Sequence, residues 1–329
     1  MKKFLLLLLA LILLFNFGCK KEEKQITMKL GHYGNETHAS QEAALMFAKA
    51  VEERTNGRIK IAIYPNNQLG APPEVLEQNI LGAIEMSLPG QDQLAHYLKK
   101  MACAGLPYAF ESYEHADRVL DGPFAEWTNK DLEDLGLIYL SNWEWGFRHL
   151  TNSKKPINSP EDVKGLKIRV PPTAGLQAAI EAMGGNVQTI QWPEVPMALK
   201  QGVVDGQENP IPTIVAFKLY ETQPYLSLTG HFYSSMVHVI SKKTWDKLSK
   251  KEQKIFKEES KKAGDYMRKK IRDGEAEMIK FLEDQGIQVT KVDKSKFKAV
   301  MGPAYEKLQD ACGGKENIET FLKMCADKL

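Results

Sequence analysis

Across 329 residues the chain contains no CxxC pair, no GxxxxGK[ST] phosphate loop, no GxGxxG after a strand, no HExxH and no GxSxG elbow. The first absence excludes thioredoxin-like and zinc-ribbon readings, and the others withdraw the commonest nucleotide, metalloprotease and hydrolase signatures. Seven histidines lie scattered at positions 32, 38, 96, 115, 149, 231 and 238, without metal-ligand spacing. A metal site needs several converging ligands, so no metal or other cofactor is expected. Net charge is only +2, which leaves no electrostatic footprint for nucleic acid. Arginine is scarce: seven residues (Arg54, Arg58, Arg118, Arg148, Arg169, Arg268 and Arg272) stand against 37 lysines. In so lysine-biased a chain, an arginine in an apolar setting needs a reason.

Beyond the N-terminus no apolar run approaches the roughly 20 residues of a bilayer-spanning helix. The N-terminus itself has a basic Met1-Lys2-Lys3, a 12-residue apolar run from Phe4 to Phe15, and Asn16-Phe17-Gly18-Cys19. That is a secretory signal over 1–18. Cys19 after Gly18, before Lys20-Lys21-Glu22-Glu23, resembles a bacterial lipoprotein cleavage site, with Cys19 lipidated and 19–25 a tether. Plain secretion, with Cys19 incidental, is the alternative. Either way the mature chain works outside the cytoplasm, with 311 residues and no formal net charge once the signal is removed. Cys103 sits in an apolar stretch and reads as core. Cys312 and Cys325 read equally as a bridge or as two thiols.

Strand and helix patterns alternate, which argues for βαβ units. Ile26–His32, Arg58–Tyr64 and Ile84–Leu88 read as strands, separated by helices over Ser40–Thr55 and Pro72–Leu81. The pattern restarts with a helix opening at Ser159-Pro160, a strand at Leu166–Val170, helices at Ala174–Met183 and Glu194–Gln201, and a strand over Val203–Asp205 turning at Gly206. Ser249–Gln285 has no proline and reads as one long helix, which must cross two lobes or kink at Gly264 or Gly274. A strand at Ile287–Thr290 and two helices close the chain.

Arg148 follows the apolar strand Leu137–Leu140, in Trp143-Glu144-Trp145-Gly146-Phe147-Arg148, and Arg169 lies near the end of Leu166–Val170. In open α/β sheets ligands bind beyond the carboxyl ends of strands. The planar guanidinium fork grips a carboxylate by two parallel charge-assisted hydrogen bonds. Structural ion pairs would account for these two residues equally well.

The motifs GLKIRVP (Gly165–Pro171) and ALKQGVVDGQENP (Ala198–Pro210) are long and specific. With TNGRIKIAIYPNNQLG, GLPYAF and GFRHLTNSKKPINSPEDVKG, they closely resemble the extracytoplasmic solute receptors of TRAP (tripartite ATP-independent periplasmic) transporters, over essentially the whole mature chain. The resemblance implies an α/β, two-lobed periplasmic-binding-protein-like clamshell with a long helix crossing both lobes. Lobe I would comprise 26–145 plus about 235–273, and lobe II 146–234 plus about 274–329. It implies a small organic acid bound by its carboxylate between the lobes and delivered to membrane permease subunits. Arg169 would be the main anchor, Arg148 a second contact, Asn209 the completing amide and Trp192 a packing aromatic. Trp145, Glu208, Glu74 and Gln91 are further candidate contacts.

Three departures stand out: Ala71-Pro72-Pro73 after LG, Pro196 where the family's EVY has tyrosine, and a first-lobe loop Pro89–Gln93 offering amides but no cation. They point to a small, fairly apolar monocarboxylate. A ligand sensor docking on a membrane kinase is the alternative function. An enzyme using Glu208 or Glu74 as base is a more remote one, since fold alone does not settle function.

Overall fold

The computed structural model describes residues 24–327; the expected signal segment and Cys19 lie outside them. Nine strands form one mixed sheet: β1 (Ile26–Gly31), β2 (Ile59–Tyr64), β3 (Met86–Ser87), β4 (Leu137–Asn152), β5 (Lys167–Val170), β6 (Asn186–Thr189), β7 (Gly206–Asn209), β8 (Tyr225–Ser241) and β9 (Gln288–Thr290). Their order is β2-β1-β3-β8-β4-β7-β5-β6, with β9 beside β8. At one end β1 runs parallel to β2 and β3, and at the other β5 runs parallel to β6 and β7. The antiparallel pair β4 and β8, 16 and 17 residues long, runs through the middle and joins the two ends. This is the two-lobed α/β architecture expected.

Length is what the sequence concealed in the central pair. β4 was expected to end at Leu140 but continues to Asn152, so Arg148 lies within a strand rather than after one. Three register irregularities break the long ladder, one of them between Glu144 and Gly146. There Gly146 adopts φ +120°, a conformation side chains rarely tolerate, and a Cβ would lie 3.3 Å from the Pro210 side chain. A bulge of this kind bends a strand and re-aims its side chains. Two local expectations also change. Val203–Asp205 forms the bend before β7 instead of the strand itself, and Ser159-Pro160 opens only a single 3₁₀ turn, Pro160–Val163.

The helix Lys250–Asp284 is continuous over 35 residues, about 52 Å at 1.5 Å per residue. Ser249 and Glu252 form a capping box at its start. Its first part buries Ile255, Phe256, Met267 and Ile271 with Leu30, Phe47 and Ile59 of the first lobe. Further on, Leu282 joins Trp192, Val195, Ile211 and Leu226 of the second. The helix runs through Gly264 without a break. That glycine admits Trp143, whose Cδ1 would lie 2.7 Å from a Cβ at that position.

Arg268 and Arg272 then pin the helix sideways. Arg268 Nη2 donates to Asp121 Oδ1 at 2.9 Å, and Arg272 donates to both Asp117 oxygens at 2.7 and 2.8 Å and to Glu144.

Three helices close the chain where two were expected: Lys294–Ala299, Gly302–Ala311 and Lys315–Ala326. Gly302–Ala311 packs on Ala174–Ala182, whereas Lys315–Ala326 packs on Lys99–Cys103, Tyr113–Asp121 and Pro123–Leu135. Cys103, Cys312 and Cys325 are free thiols, the first two buried.

Candidate functional site

A pocket of about 50 Å³ lies between the two halves of the sheet. Tyr33, Pro72, Asp92, Gln93 and Trp145, the last packed in the first lobe's core, line one side, and Arg148, Arg169, Pro171, Trp192, Asn209 and Ser234 the other. Tyr33 follows β1, and Asp92 and Gln93 belong to the short helix Gln91–Leu94 beyond β3. Arg169 is the third residue of β5 and Asn209 the last of β7. Both walls thus use the carboxyl ends of parallel strands, where chain leaves the sheet and side chains can face a ligand.

Arg169 is 2% exposed. Its Nε and Nη2 donate to the Ile190 carbonyl at 2.9 and 2.7 Å, and its guanidinium lies 5.7 Å from the Trp192 ring centroid. No carboxylate of the described residues forms an ion pair with it. The other six arginines differ. Arg54, Arg58, Arg148, Arg268 and Arg272 are paired with Asp or Glu, and Arg118, which is only half-buried, binds the carbonyls of Met324, Cys325 and Asp327. Burial lowers the Arg169 pKa to about 9, with the Arg148 charge adding to the effect and Glu208 and Asp92 opposing it. A buried cation without a counter-ion is expensive. An anion in the pocket would relieve that cost.

Arg148 is already matched. Its Nη2 donates to Glu208 Oε1 at 2.9 Å and to the Glu208 carbonyl at 2.8 Å, its Nε donates to Glu208 Oε2, and Nη1 reaches Ser234 Oγ at 3.4 Å. Burial pushes the Glu208 carboxyl up, but Arg148 and His231 outweigh it and hold it below its ordinary value. Glu208 therefore remains ionised. Asn209 is oriented by Gln207, to which its Nδ2 donates at 2.6 Å, and by Trp145, whose indole N–H donates to Asn209 Oδ1 at 3.4 Å. Trp145 in turn rests against Tyr33 and His38, with ring centroids 4.7 and 4.4 Å away.

Arg148, Arg169, Asn209, Trp192 and Trp145 therefore converge, with Glu208 directly behind Arg148. Two other candidates stand elsewhere. Glu74 accepts from the Ala71 backbone N–H at 2.8 Å and caps its own helix. Gln91 is buried with both ends occupied: it donates to the carbonyls of Ala104 and Tyr233 and accepts from the Ser235 N–H and hydroxyl. Sequence reasoning missed Tyr33, Asp92, Gln93 and Ser234. The strand-end rule could have found Tyr33, but which residue of Pro89–Gln93 faces the pocket depends on a single turn of helix. Among the described residues no cluster could hold a metal ion, and no helix is long and apolar enough to cross a membrane.

The model of the bacterial extracellular solute-binding protein family 7 matches residues 30–311. The sialic acid-binding periplasmic protein SiaP of Vibrio cholerae is 32% identical over 288 residues, 87% of this chain and 89% of that protein. A TRAP periplasmic solute-binding protein from Polaromonas sp. JS666, bound to D-erythronate, superposes with a TM-score of 0.88 at 34% identity, covering 93% of this chain and 100% of the other. Another from Sulfurospirillum deleyianum, with bound succinate, gives 0.85 at 29%, covering 93% and 100%.

Proposed function

The chain belongs to family 7 of the bacterial extracellular solute-binding proteins, and on that footing we propose that Arg169 anchors the carboxylate of its ligand. The protein is an extracytoplasmic TRAP-type receptor for a small organic acid, which it hands to a membrane permease. The observation that carries the anchor is the buried Arg169 guanidinium, tied to one carbonyl and paired with no carboxylate. A ligand carboxylate there gains charge-assisted hydrogen bonds and neutralises a charge that folding alone left unmatched. Arg148 contributes positive potential, tempered by Glu208, and Asn209 offers an amide. Trp192 and Trp145 supply flat apolar walls.

An enzymatic reading would need a free base. Glu208 is engaged by Arg148 and Glu74 caps a helix, so neither is poised for proton transfer. We further assign Cys19 as a lipid anchor. Cys19→Ala should shift the mature protein from membrane to soluble fractions; unchanged fractionation would refute the anchor.

Thermal-shift measurements on the mature protein with a panel of organic acids test the receptor assignment. Ligand that binds only the native state raises the midpoint as its concentration passes the dissociation constant. Arg169→Ala should lose every shift while remaining folded. Full shifts in that variant would remove Arg169 from the site.

A further inference from the structure

Two cysteines far apart in the chain meet in the apolar core. Cys103 ends the short helix Lys99–Cys103, and Cys312 directly follows Gly302–Ala311. Neither has accessible surface, and both lie in one cluster with Met101, Leu308 and Phe321. The segments around them touch along one face of the short helix, where residues four apart stack. A Cβ on Gly313 would lie 3.2 Å from Lys99 Cβ, one turn before Cys103. Ala102 and Ala311, which immediately precede the two cysteines, line the same cavity. The two thiols are hydrogen-bonded to each other; that bond, with burial, raises the Cys103 pKa and, against burial, lowers that of Cys312. No third His, Cys, Asp or Glu joins them as a metal-binding group among the described residues. Cys325, the partner that spacing alone offered to Cys312, stands apart, half-buried beside Arg118.

We infer that Cys103 and Cys312 are oxidised to a disulfide in the exported protein, stapling the C-terminal helices to Lys99–Cys103. The inference rests on the extracytoplasmic setting, where thiols meet oxidants, and is independent of what the pocket binds. The co-reactant is a second disulfide, carried by a thiol oxidase or by oxidised glutathione. Cys312, the more readily ionised of the pair, attacks one sulfur of that disulfide, and the other sulfur leaves as a thiol. Cys103 then attacks Cys312 Sγ in the mixed disulfide and releases the second thiol. One Cys103–Cys312 bond replaces the oxidant's bond. The cysteines lose two electrons, and the oxidant gains them, with the two protons, as two thiols. Burial closes the pair to a protein oxidant once the core has formed, so oxidation precedes docking of the last helices. The bond closes a loop of about 200 residues, and so long a loop strongly restrains the unfolded chain. It sits where the C-terminal chain changes partners, from Ala174–Ala182 to Lys99–Cys103 and Pro123–Leu135.

Peptide mapping tests the bond, on mature protein purified from the periplasm of a host with an intact thiol oxidase and alkylated in denaturant without reductant. Trypsin should release Met101–Arg118 joined to Leu308–Lys315, while the peptide carrying Cys325 is alkylated. Alkylated Cys103 and Cys312, or a Cys312–Cys325 bridge in their place, would overturn the inference. Melting reads the staple itself. Dithiothreitol should lower the wild-type midpoint by ~5 °C or more. Cys103→Ser and Cys312→Ser should each melt at one temperature with and without the reductant, whatever the substitution itself costs. Cys325→Ser should keep the wild-type difference. A bridge whose reduction leaves the midpoint unchanged, or a difference that survives in Cys312→Ser, would overturn the stapling role.

Discussion

Two regions of this molecule bury arginines and treat them in opposite ways. Along the long helix, Arg268 and Arg272 meet Asp117, Asp121 and Glu144, so their charges are matched within the fold. In the cleft, Arg169 is at least as deeply buried and meets one backbone carbonyl. Arg148 stands between the cases, facing the pocket but paired with Glu208. The difference separates structure from function. A buried arginine with acids around it has its charge matched by the fold; one without an acid carries an unmatched charge, which on our proposal the ligand's carboxylate neutralises.

The sharpest way to break this contrast is to alter Arg169 and measure binding. Arg169→Lys keeps the charge and loses the fork. At about 3–4 kcal/mol for a desolvated bidentate pair, affinity for a carboxylate ligand should fall ~100-fold or more by titration calorimetry. Lysine binding like arginine would mean that charge alone suffices. Arg268→Met should do the converse. It leaves Asp121 with only the Asn142 amide as partner, partly solvated, and should cost about 2 kcal/mol in urea unfolding with affinity unchanged. Lost affinity with intact stability would erase the distinction between the regions.

A third test concerns the close approach of the Gly105 and Gly175 segments. A Cβ on Gly175 would lie 2.4 Å from the Gly105 carbonyl oxygen and 3.0 Å from the Phe232 ring. These segments, after Lys99–Cys103 and at the start of Ala174–Ala182, meet through backbone. Gly175→Ala should weaken ligand binding about tenfold, since overpacking costs ~1–3 kcal/mol. Binding at wild-type strength would show that the ligand site does not depend on this contact.

The smallest effect extends the contrast to imidazoles, which can escape burial by losing their proton. Burial lowers the His32 pKa to about 4 and those of His38, His149 and His238 to about 3, from 6.5. With folded values below the unfolded one, the unfolded chain binds more protons in acid. Stability is therefore fully present above pH 6.5 and declines as pH falls toward 4 and 3. Melting midpoints measured from pH 7 to pH 4 should fall steadily; a flat profile would contradict neutral burial.

Much of the second wall was legible in the sequence because its residues sit in long motifs. GLKIRVP carries Arg169, and DGQENP carries Glu208 and Asn209. The long helix was legible because 35 residues without proline leave few alternatives. The first wall was not. Its residues are single positions at the ends of short elements, where one turn of helix decides that Asp92 and Gln93 face the pocket while Gln91 is consumed by backbone carbonyls. Nor was the run of β4 and β8 through both lobes, since their buried polar residues obscure the alternation that marks a strand. The pairing of Arg148 with Glu208, 60 residues apart, likewise depends on the β4–β7 register and not on local pattern.

The central claim, that Arg169 is unpaired because its partner is the ligand, is tested most directly by melting Arg169→Met with and without ligand. Removing a buried, unmatched cation should leave the ligand-free midpoint equal to or above that of wild type, and an organic acid that raises the wild-type midpoint should no longer raise it. A markedly lower midpoint that the same acid still raises would contradict the account, because Arg169 would then be a structural residue and the ligand would be held by something else.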